Sequence, residues 1–176
     1  MLSAKVAEKI KALDHSTEST RDSAVAYLRN AEEHSEKPED KAAFAVLSGA
    51  LSMAYDAQAS GYAPMLVMSD GQRSFSMEDL DDSGAAIIEE AFPLFEPFWI
   101  KARLADTLWL KTGDHRYAQI AVSANLSLFD ASYDPEDWVS CFQAAQRAFQ
   151  IARKLGRNNH LFSETLAKID AVLRKV

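Results

Sequence analysis

The stretch FEPFWIKARLADTLWLKTGDHRYAQIAVSAN, residues 95–125, decides the fold of this chain. Apolar residues lie on almost every side of its first half, which indicates a helix buried on more than one face. Gly113 suits the left-handed position that ends a helix, and Asp114 is a favourable cap for the next one. We therefore predict an antiparallel pair of helices. The inward stripe of its second helix is predicted to be Tyr117, Ala118, Ala121, Val122 and Leu126.

Helical patterns also occupy most of the chain on both sides of this pair. Apolar residues recur at helical spacing over residues 3–14, 20–35, 38–59, 77–92, 135–155 and 159–175. In the last of these helices, Leu161, Leu166, Ile169 and Leu173 are predicted to face inward. The helix over 77–92 is predicted to begin with a capping box of Ser76 and Asp79, and Asn158 is predicted to cap the last helix.

Residues 62–77 differ from the rest, because two short apolar runs flank Asp70 and Gly71. An Asp-Gly pair between such runs is typical of a tight turn between strands. The sequence thus predicts an all-α domain over residues 1–176, built of seven or eight antiparallel helices, with a short irregular or β-hairpin insert at 62–77. The chain is a single domain, free-standing or part of a larger parent.

The charge of the chain excludes one class of partner and leaves others open. The net charge is −7, and 18 acidic and 8 basic residues lie in the first hundred positions. Residues 101–176 hold 8 acidic and 11 basic residues, so this part is mildly basic. Nonspecific DNA binding needs clustered Lys and Arg, and we do not expect it here. The bases Arg147, Arg153, Lys154 and Arg157 are interpreted as a solvated helix face or a surface for an acidic partner.

Several other features place the chain among proteins of the cytoplasm. Its one cysteine, Cys141, allows no internal disulfide and is interpreted as a small core residue. No run of 18 apolar residues predicts a membrane span, and the first residues lack the apolar segment of a signal peptide. The histidines have no metal-ligand spacing, and no glycine-rich nucleotide motif occurs. We expect no metal, no cofactor and no membrane partner.

Two charged residues lie on the apolar helix of the central stretch. Arg103 and Asp106 are three positions apart, so their side chains can meet. One interpretation is an internal salt bridge, since buried charges are paired. The other is that Arg103 faces a groove and binds a carboxylate or phosphate of a ligand.

The segment from Leu104 to Asn125 resembles a tetratricopeptide (TPR) repeat. Trp109 stands for the bulky aromatic of the first helix, Gly113 and Asp114 for the turn, and Ala118 for the small residue of the second helix. A partial second match covers residues 144–169, and Gly113 and Gly156 are 43 positions apart where that family has 34. The resemblance implies a divergent stack of helix pairs.

A weaker likeness is to helical N-terminal regions of uncharacterised bacterial proteins, some of which resemble phage-defence components. It is carried by the loop DGQRS at 70–74, by Glu78, Asp79 and Leu80, and by the run ARLADTLW at 102–109. This likeness implies a bacterial defence or stress context.

One short string has the form of a catalytic motif. Arg29, Asn30 and His34 match the R-N-x-x-x-H pattern, and the string resembles that of HEPN-type ribonucleases. In such a dimeric enzyme His34 would move a proton and Arg29 would hold a phosphate. Glu32 and Glu33 lie between them and would repel RNA, which favours a solvated helix end over a catalytic site.

The sequence therefore favours a non-catalytic interaction module that binds a protein or peptide in the groove of its helical stack. The alternative is a HEPN-type ribonuclease that acts as a dimer through Arg29 and His34, and RNA is a partner only in that case. The predicted contact residues for a protein partner are Arg73, Arg103, Asp106 and Tyr117.

Overall fold

The computed structural model describes residues 1–13, 21–52, 54–55, 64–65, 80–96, 98–131 and 138–174. Within these residues eight α-helices follow one another, as predicted from the sequence. Their bounds are α1 Ala4–Lys11, α2 Arg21–Glu33, α3 Pro38–Ser52, α4 Asp82–Ala91, α5 Phe98–Thr112, α6 His115–Ala131, α7 Trp138–Leu155 and α8 His160–Leu173. A short 3-10 helix, Phe92–Leu94, follows α4.

Side-chain caps determine where several of these helices begin. The Asp81 carboxylate accepts a hydrogen bond from the Gly84 amide at 2.7 Å, so α4 begins at Asp82 and not at residue 77. The predicted capping residues Ser76 and Asp79 lie outside the described residues. Asn159 caps α8 by accepting from the Leu161 amide at 3.0 Å, one position after the predicted Asn158. A cap satisfies amides that have no partner in the first helical turn.

The third helix is shorter than predicted. It ends at Ser52, and two residues later Ala54–Tyr55 pairs antiparallel with Pro64–Met65. Near the end of α3 the hydroxyls of Ser48 and Ser52 donate to carbonyl oxygens of the preceding turn, a bond that competes with regular helix geometry. The observed pairing precedes Asp70 and Gly71, and the turn predicted at these two residues lies outside the described part of the chain.

Helix α5 is the centre of the domain, as its sequence predicts. Ile100, Leu104 and Leu108 belong to an apolar cluster with residues of α1 to α4, whereas Ala105 belongs to a second cluster with α6, α7 and α8. Ala118 and Ala121 of α6 are buried in the second cluster. Because their side chains are small, the neighbouring helices can approach α6 closely. Because both clusters include α5 residues, this helix joins the two halves of the domain.

Consecutive helices pack as pairs, with α2 on α3, α5 on α6, α6 on α7 and α7 on α8. The last helix departs from its predicted orientation. Leu161 is buried as expected, but Leu166 is 42% exposed and Leu173 is 58% exposed. Thr165 takes the inward position instead, and its hydroxyl donates to the Leu161 carbonyl oxygen at 2.6 Å. The hydroxyl can be buried because this hydrogen bond satisfies it.

Candidate functional site

Asp106 lies inside the domain and pairs with an arginine from another helix. Nε and Nη2 of Arg147 on α7 donate to the two carboxylate oxygens of Asp106 on α5, at 2.7 Å and 2.5 Å. The Asp106 side chain is 3% exposed and that of Arg147 is 13% exposed. Arg147 also donates to the amide oxygen of Gln150 at 3.3 Å. Such a two-pronged pair fixes the distance and the rotation of one helix relative to the other.

The surroundings of Asp106 act on its ionisation in opposite directions. Burial raises the pKa of the Asp106 carboxyl well above its ordinary value, whereas the positive charge of Arg103 works to lower that pKa. The two hydrogen bonds from Arg147 also favour the carboxylate form, because they are made to the charged group. Arg103 thus contributes electrostatically, but the hydrogen bonds come from Arg147, which is 41 positions away.

Sequence spacing pointed to Arg103 as the partner of Asp106 and had no means of identifying Arg147. Arg147 was grouped with the solvated basic face of the C-terminal part. The available signal was the presence of an aspartate on an apolar helix, which requires a cation somewhere in the core. The aspartate therefore predicts that a cation lies nearby, but it does not predict which residue supplies that cation.

Tyr117, another predicted contact residue, lies half-buried at the start of α6. Its ring meets the edge of the Phe92 ring with centroids 6.3 Å apart, and its hydroxyl donates to the Glu89 carboxylate at 3.0 Å. Burial, followed by this hydrogen bond, raises the pKa of Tyr117. The residue therefore fastens α6 to the 3-10 helix through its ring and to α4 through its hydroxyl.

The Arg116 guanidinium lies beside Tyr117 and is held by Asp114, the residue that caps α6. Asp114 accepts from the backbone amide of Arg116 at 2.8 Å and from its guanidinium at 2.7 Å and 2.9 Å. These hydrogen bonds hold the pKa of the Asp114 carboxyl below its ordinary value. The guanidinium carbon of Arg116 is 5.8 Å from the centre of the Tyr117 ring, within cation–π range.

The remaining predicted contact residues have different positions. Arg73 lies outside the described residues. Arg103 is half-buried on α5 and interacts with other groups of the protein. The structure brings Arg103 and Asp106 together and places Tyr117 against α4. Only Arg103 and Tyr117 are both described and accessible enough to touch a partner without opening the core.

An open groove of about 400 Å³ lies over the outer face of α6. Lys101 of α5 and His160 of α8 line it together with Ile120, Ser123 and Ser127 of α6. The Ile120 side chain is 36% exposed there. None of the described residues that line the groove is acidic. Its lining therefore combines an accessible apolar side chain, hydroxyls and basic groups from three different helices.

No pattern in the sequence predicts this groove. Ile120 lies off the inward stripe of α6, and an isoleucine among polar residues on the outer face was the available signal. His160 has no neighbours at metal-ligand spacing, so the sequence does not mark it as a site residue. The groove depends on the packing of α5 and α8 on either side of α6, and no single stretch of sequence contains it.

The Arg29 and His34 motif lies at the end of α2. His34 is exposed and follows the last helical residue, and its Nδ1 lies 2.8 Å from the Asn30 carbonyl oxygen. Arg29 is half-buried and engaged in interactions of its own. Five positions correspond to about 500° on an ideal helix, so the two side chains point about 140° apart. One copy of the motif on one helix does not form a converging pair.

The described residues contain neither a candidate metal site nor a candidate membrane span. No group of three or more His, Cys, Asp or Glu side chains in that part of the chain could hold a metal ion. In the same residues, every helix is too short or too polar to span a lipid bilayer.

Comparison with known proteins identifies a family. A family model described as a domain of unknown function, DUF7380, matches residues 1–164. No curated protein and no solved structure matches the chain. The family match spans α1 to α7 and the start of α8, and thus includes the groove over α6.

Proposed function

We propose that this chain, which belongs to the DUF7380 family of domains of unknown function, is a non-catalytic helical interaction module that binds a protein or a peptide. The observation that carries the proposal is the groove over α6. Ile120, which is 36% exposed, lines it together with Lys101 and His160, and three helices contribute to its lining. A concave surface with an apolar centre and a few polar groups is the usual form of a binding site.

The arrangement of helices supports the proposal. The pairs α5–α6 and α7–α8 are antiparallel neighbours joined by turns at Gly113 and Gly156. Stacked pairs of this kind present extended surfaces to partners, as TPR-like repeats do. We include a divergent TPR-like stack in the proposal, with a bacterial defence or stress setting as its context.

The proposed contacts combine the groove with the residues predicted from the sequence. Ile120, Lys101 and His160 line the groove, and Arg73, Arg103 and Tyr117 are kept as proposed contacts on the strength of their sequence pattern. Asp106 takes part indirectly, because its carboxylate is occupied by Arg147 and is buried. Its proposed role is to hold α5 and α7 in the geometry that the surface requires.

The test is a comparison of partners that co-purify with the chain and with its groove variants. Ile120→Asp and Lys101→Glu are expected to lose the partners that the unaltered chain retains, because they place a negative charge on the groove lining. Lys41→Glu is the matched control, since Lys41 is exposed on α3 away from the groove. It is expected to retain the same partners, and all variants should keep the helical circular dichroism spectrum.

The proposal fails if the unaltered chain retains no protein or peptide above background. It also fails if Ile120→Asp and Lys101→Glu retain the same partners as Lys41→Glu, because the groove would then have no part in binding.

A further inference from the structure

Helix α8 carries a second apolar face that the rest of the described chain does not cover. Phe162, Leu166, Ile169 and Leu173 follow one another at spacings of four, three and four residues. At about 100° per residue they lie within about 60° of one another on the helix. Leu166 and Leu173 are exposed by 42% and 58%, and the other two are half-buried.

This stripe is distinct from the face that packs α8 onto the domain. Leu161 and Thr165 are buried on the inward face. Lys168 on the same side forms an ion pair with Asp130 of α6 and lies 5.3 Å from the centre of the Phe129 ring. The inward face is thus satisfied by α6 and α7. The stripe remains as an additional surface, and its 4-3-4 spacing is that of the seam between two packed helices.

The stripe continues onto α7. The ring of Phe149 on α7 packs against that of Phe162, with centroids 5.7 Å apart. Arg153 lies four positions after Phe149, and residues at this spacing share a helix face. The apolar surface therefore extends over both helices and has an exposed guanidinium at its edge.

The charges around this surface are mostly positive. Arg153, Lys154 and Arg157 are exposed at the end of α7 and in the following turn, and none forms an ion pair within the described residues. Asp170, the acid that flanks the stripe on α8, is neutralised by Arg174 at 2.7 Å. Cations near a helix C-terminus interact favourably with its dipole. The dipole alone does not explain why three cations lie beside an exposed apolar stripe.

We infer that the α7–α8 surface, formed by Phe149, Arg153, Phe162, Leu166, Ile169 and Leu173, binds an amphipathic helix of a partner protein whose apolar stripe is flanked by acidic residues. The partner's apolar residues pack along the 4-3-4 seam, and its carboxylates face the cations at the α7–α8 turn. This is the helix-in-groove mode of recognition. The inference is independent of the groove over α6, which uses other faces of α6 and α8.

A second copy of this chain fits the surface less well than an acidic helix. In a two-fold dimer the same patch faces itself. An antiparallel pair of α8 helices would bring the cations of one α7–α8 turn beside the Asp170–Arg174 pair of the other copy, which has no net negative charge to complement them. A helix of 14 residues is about 21 Å long, and its one stripe offers less than the roughly 800 Å² per partner of a standard interface.

The probe is a display library of helical peptides about 20 residues long, which is long enough to cover the length of α8. It is randomised at the apolar heptad positions and at the positions beside them, and it is selected against the full chain. Selected peptides are expected to carry Leu or Ile on the stripe and Asp or Glu beside it. The consensus peptide is then titrated by fluorescence anisotropy against the full chain and its variants.

Leu166→Asp is expected to weaken binding of the consensus peptide at least about tenfold, since it places a carboxylate in the seam. Arg153→Glu combined with Lys154→Glu is expected to weaken binding by a similar factor. Ala167→Asp is the matched control. Ala167 is exposed on the same helix about 100° from Leu166, so its affinity should stay within about twofold of the unaltered chain. Melting temperatures establish that the variants fold.

Four results would overturn the inference. They are a selection with no enrichment, a consensus with basic or neutral flanks, equal effects of Leu166→Asp and Ala167→Asp, and a chain that is dimeric by light scattering and becomes monomeric with Leu166→Asp. The last result would assign the surface to a second copy. Loss of peptide binding with Leu166→Asp while Ile120→Asp still binds the peptide would separate this surface from the groove over α6.

Discussion

At the scale of single residues, the pair of Asp106 and Arg147 is the most constrained feature of the molecule. Both groups are withdrawn from water, and each satisfies the charge of the other. The desolvation of two charges in such a pair offsets most of their attraction, so the pair as a whole adds little net stability. Its main effect is to fix the position of α5 relative to α7. Any other packing of these two helices would leave a buried charge without its partner.

This view predicts a large asymmetry between single and double substitutions. Asp106→Asn is expected to destabilise the domain by about 3 kcal/mol, since Arg147 loses its charged partner. The double variant Asp106→Leu with Arg147→Met is expected to lie within about 1 kcal/mol of the unaltered chain, because both members of the buried pair are replaced together. Urea denaturation tests Asp106→Asn, and applied to Asp106→Leu, Arg147→Met and the double variant it measures the coupling between the two positions.

An exposed ion pair provides the control for this cycle. Asp170 and Arg174 are 58% and 78% exposed, and Asp170→Asn is expected to cost less than about 0.5 kcal/mol. Additive effects at positions 106 and 147 would contradict the interpretation of the two residues as one unit.

At the scale of elements, the turns between helices depend on two glycines. Gly113 has φ 69° and Gly156 has φ 100°, both in the range that side chains disfavour. A Cβ built at either position meets no atom within 4 Å, so space is not the constraint. The constraint is the backbone conformation, which sets the angle at which α6 follows α5 and α8 follows α7.

Gly113→Ala is therefore expected to destabilise the domain by about 1 kcal/mol, since alanine is strained in the left-handed conformation. Gly113→Asn is expected to cost less, because asparagine tolerates that conformation better. Thermal denaturation followed by circular dichroism compares the two variants with the unaltered chain. Equal destabilisation by Ala and Asn would show that the cost arises from something other than the backbone angle.

At the scale of the whole molecule, α5 contributes to both apolar clusters, and we therefore expect the two halves of the described chain to unfold together. Leu104 belongs to the cluster with α1 to α4, and its neighbour Ala105 belongs to the cluster with α6 to α8. Unfolding of either half would expose one side of α5. The acidic first half and the basic second half are therefore joined by an apolar helix and not by a flexible linker.

Leu104→Ala is expected to destabilise the chain by about 3 kcal/mol through the cavity it leaves in the core. Because α5 is shared, tryptophan fluorescence and far-ultraviolet circular dichroism should report the same urea midpoint before and after the change. Leu166→Ala, on the exposed stripe, is expected to cost less than about 1 kcal/mol. Separate midpoints for the two probes would mean that the halves unfold independently.

Much of the architecture could be predicted from the sequence because it depends on local rules. Helical periodicity indicated the positions of α1 to α8, and the glycines and the Asp114 cap marked helix ends. The length of α3 was overestimated, because its alanines favour a helix through residues that pair as a strand. Strand pairing joins positions eleven and nine apart, and a local propensity does not register it.

Spacing along single helices was enough to predict the all-helical class, the central place of α5 and the inward stripe of α6. The partner of Asp106, the groove beside Ile120 and the exposure of Leu166 and Leu173 became evident in the folded chain alone. These three depend on which helix packs against which face. The spacing of Leu161, Leu166, Ile169 and Leu173 marks them as apolar, but periodicity does not say which of two adjacent apolar faces a neighbouring helix will cover.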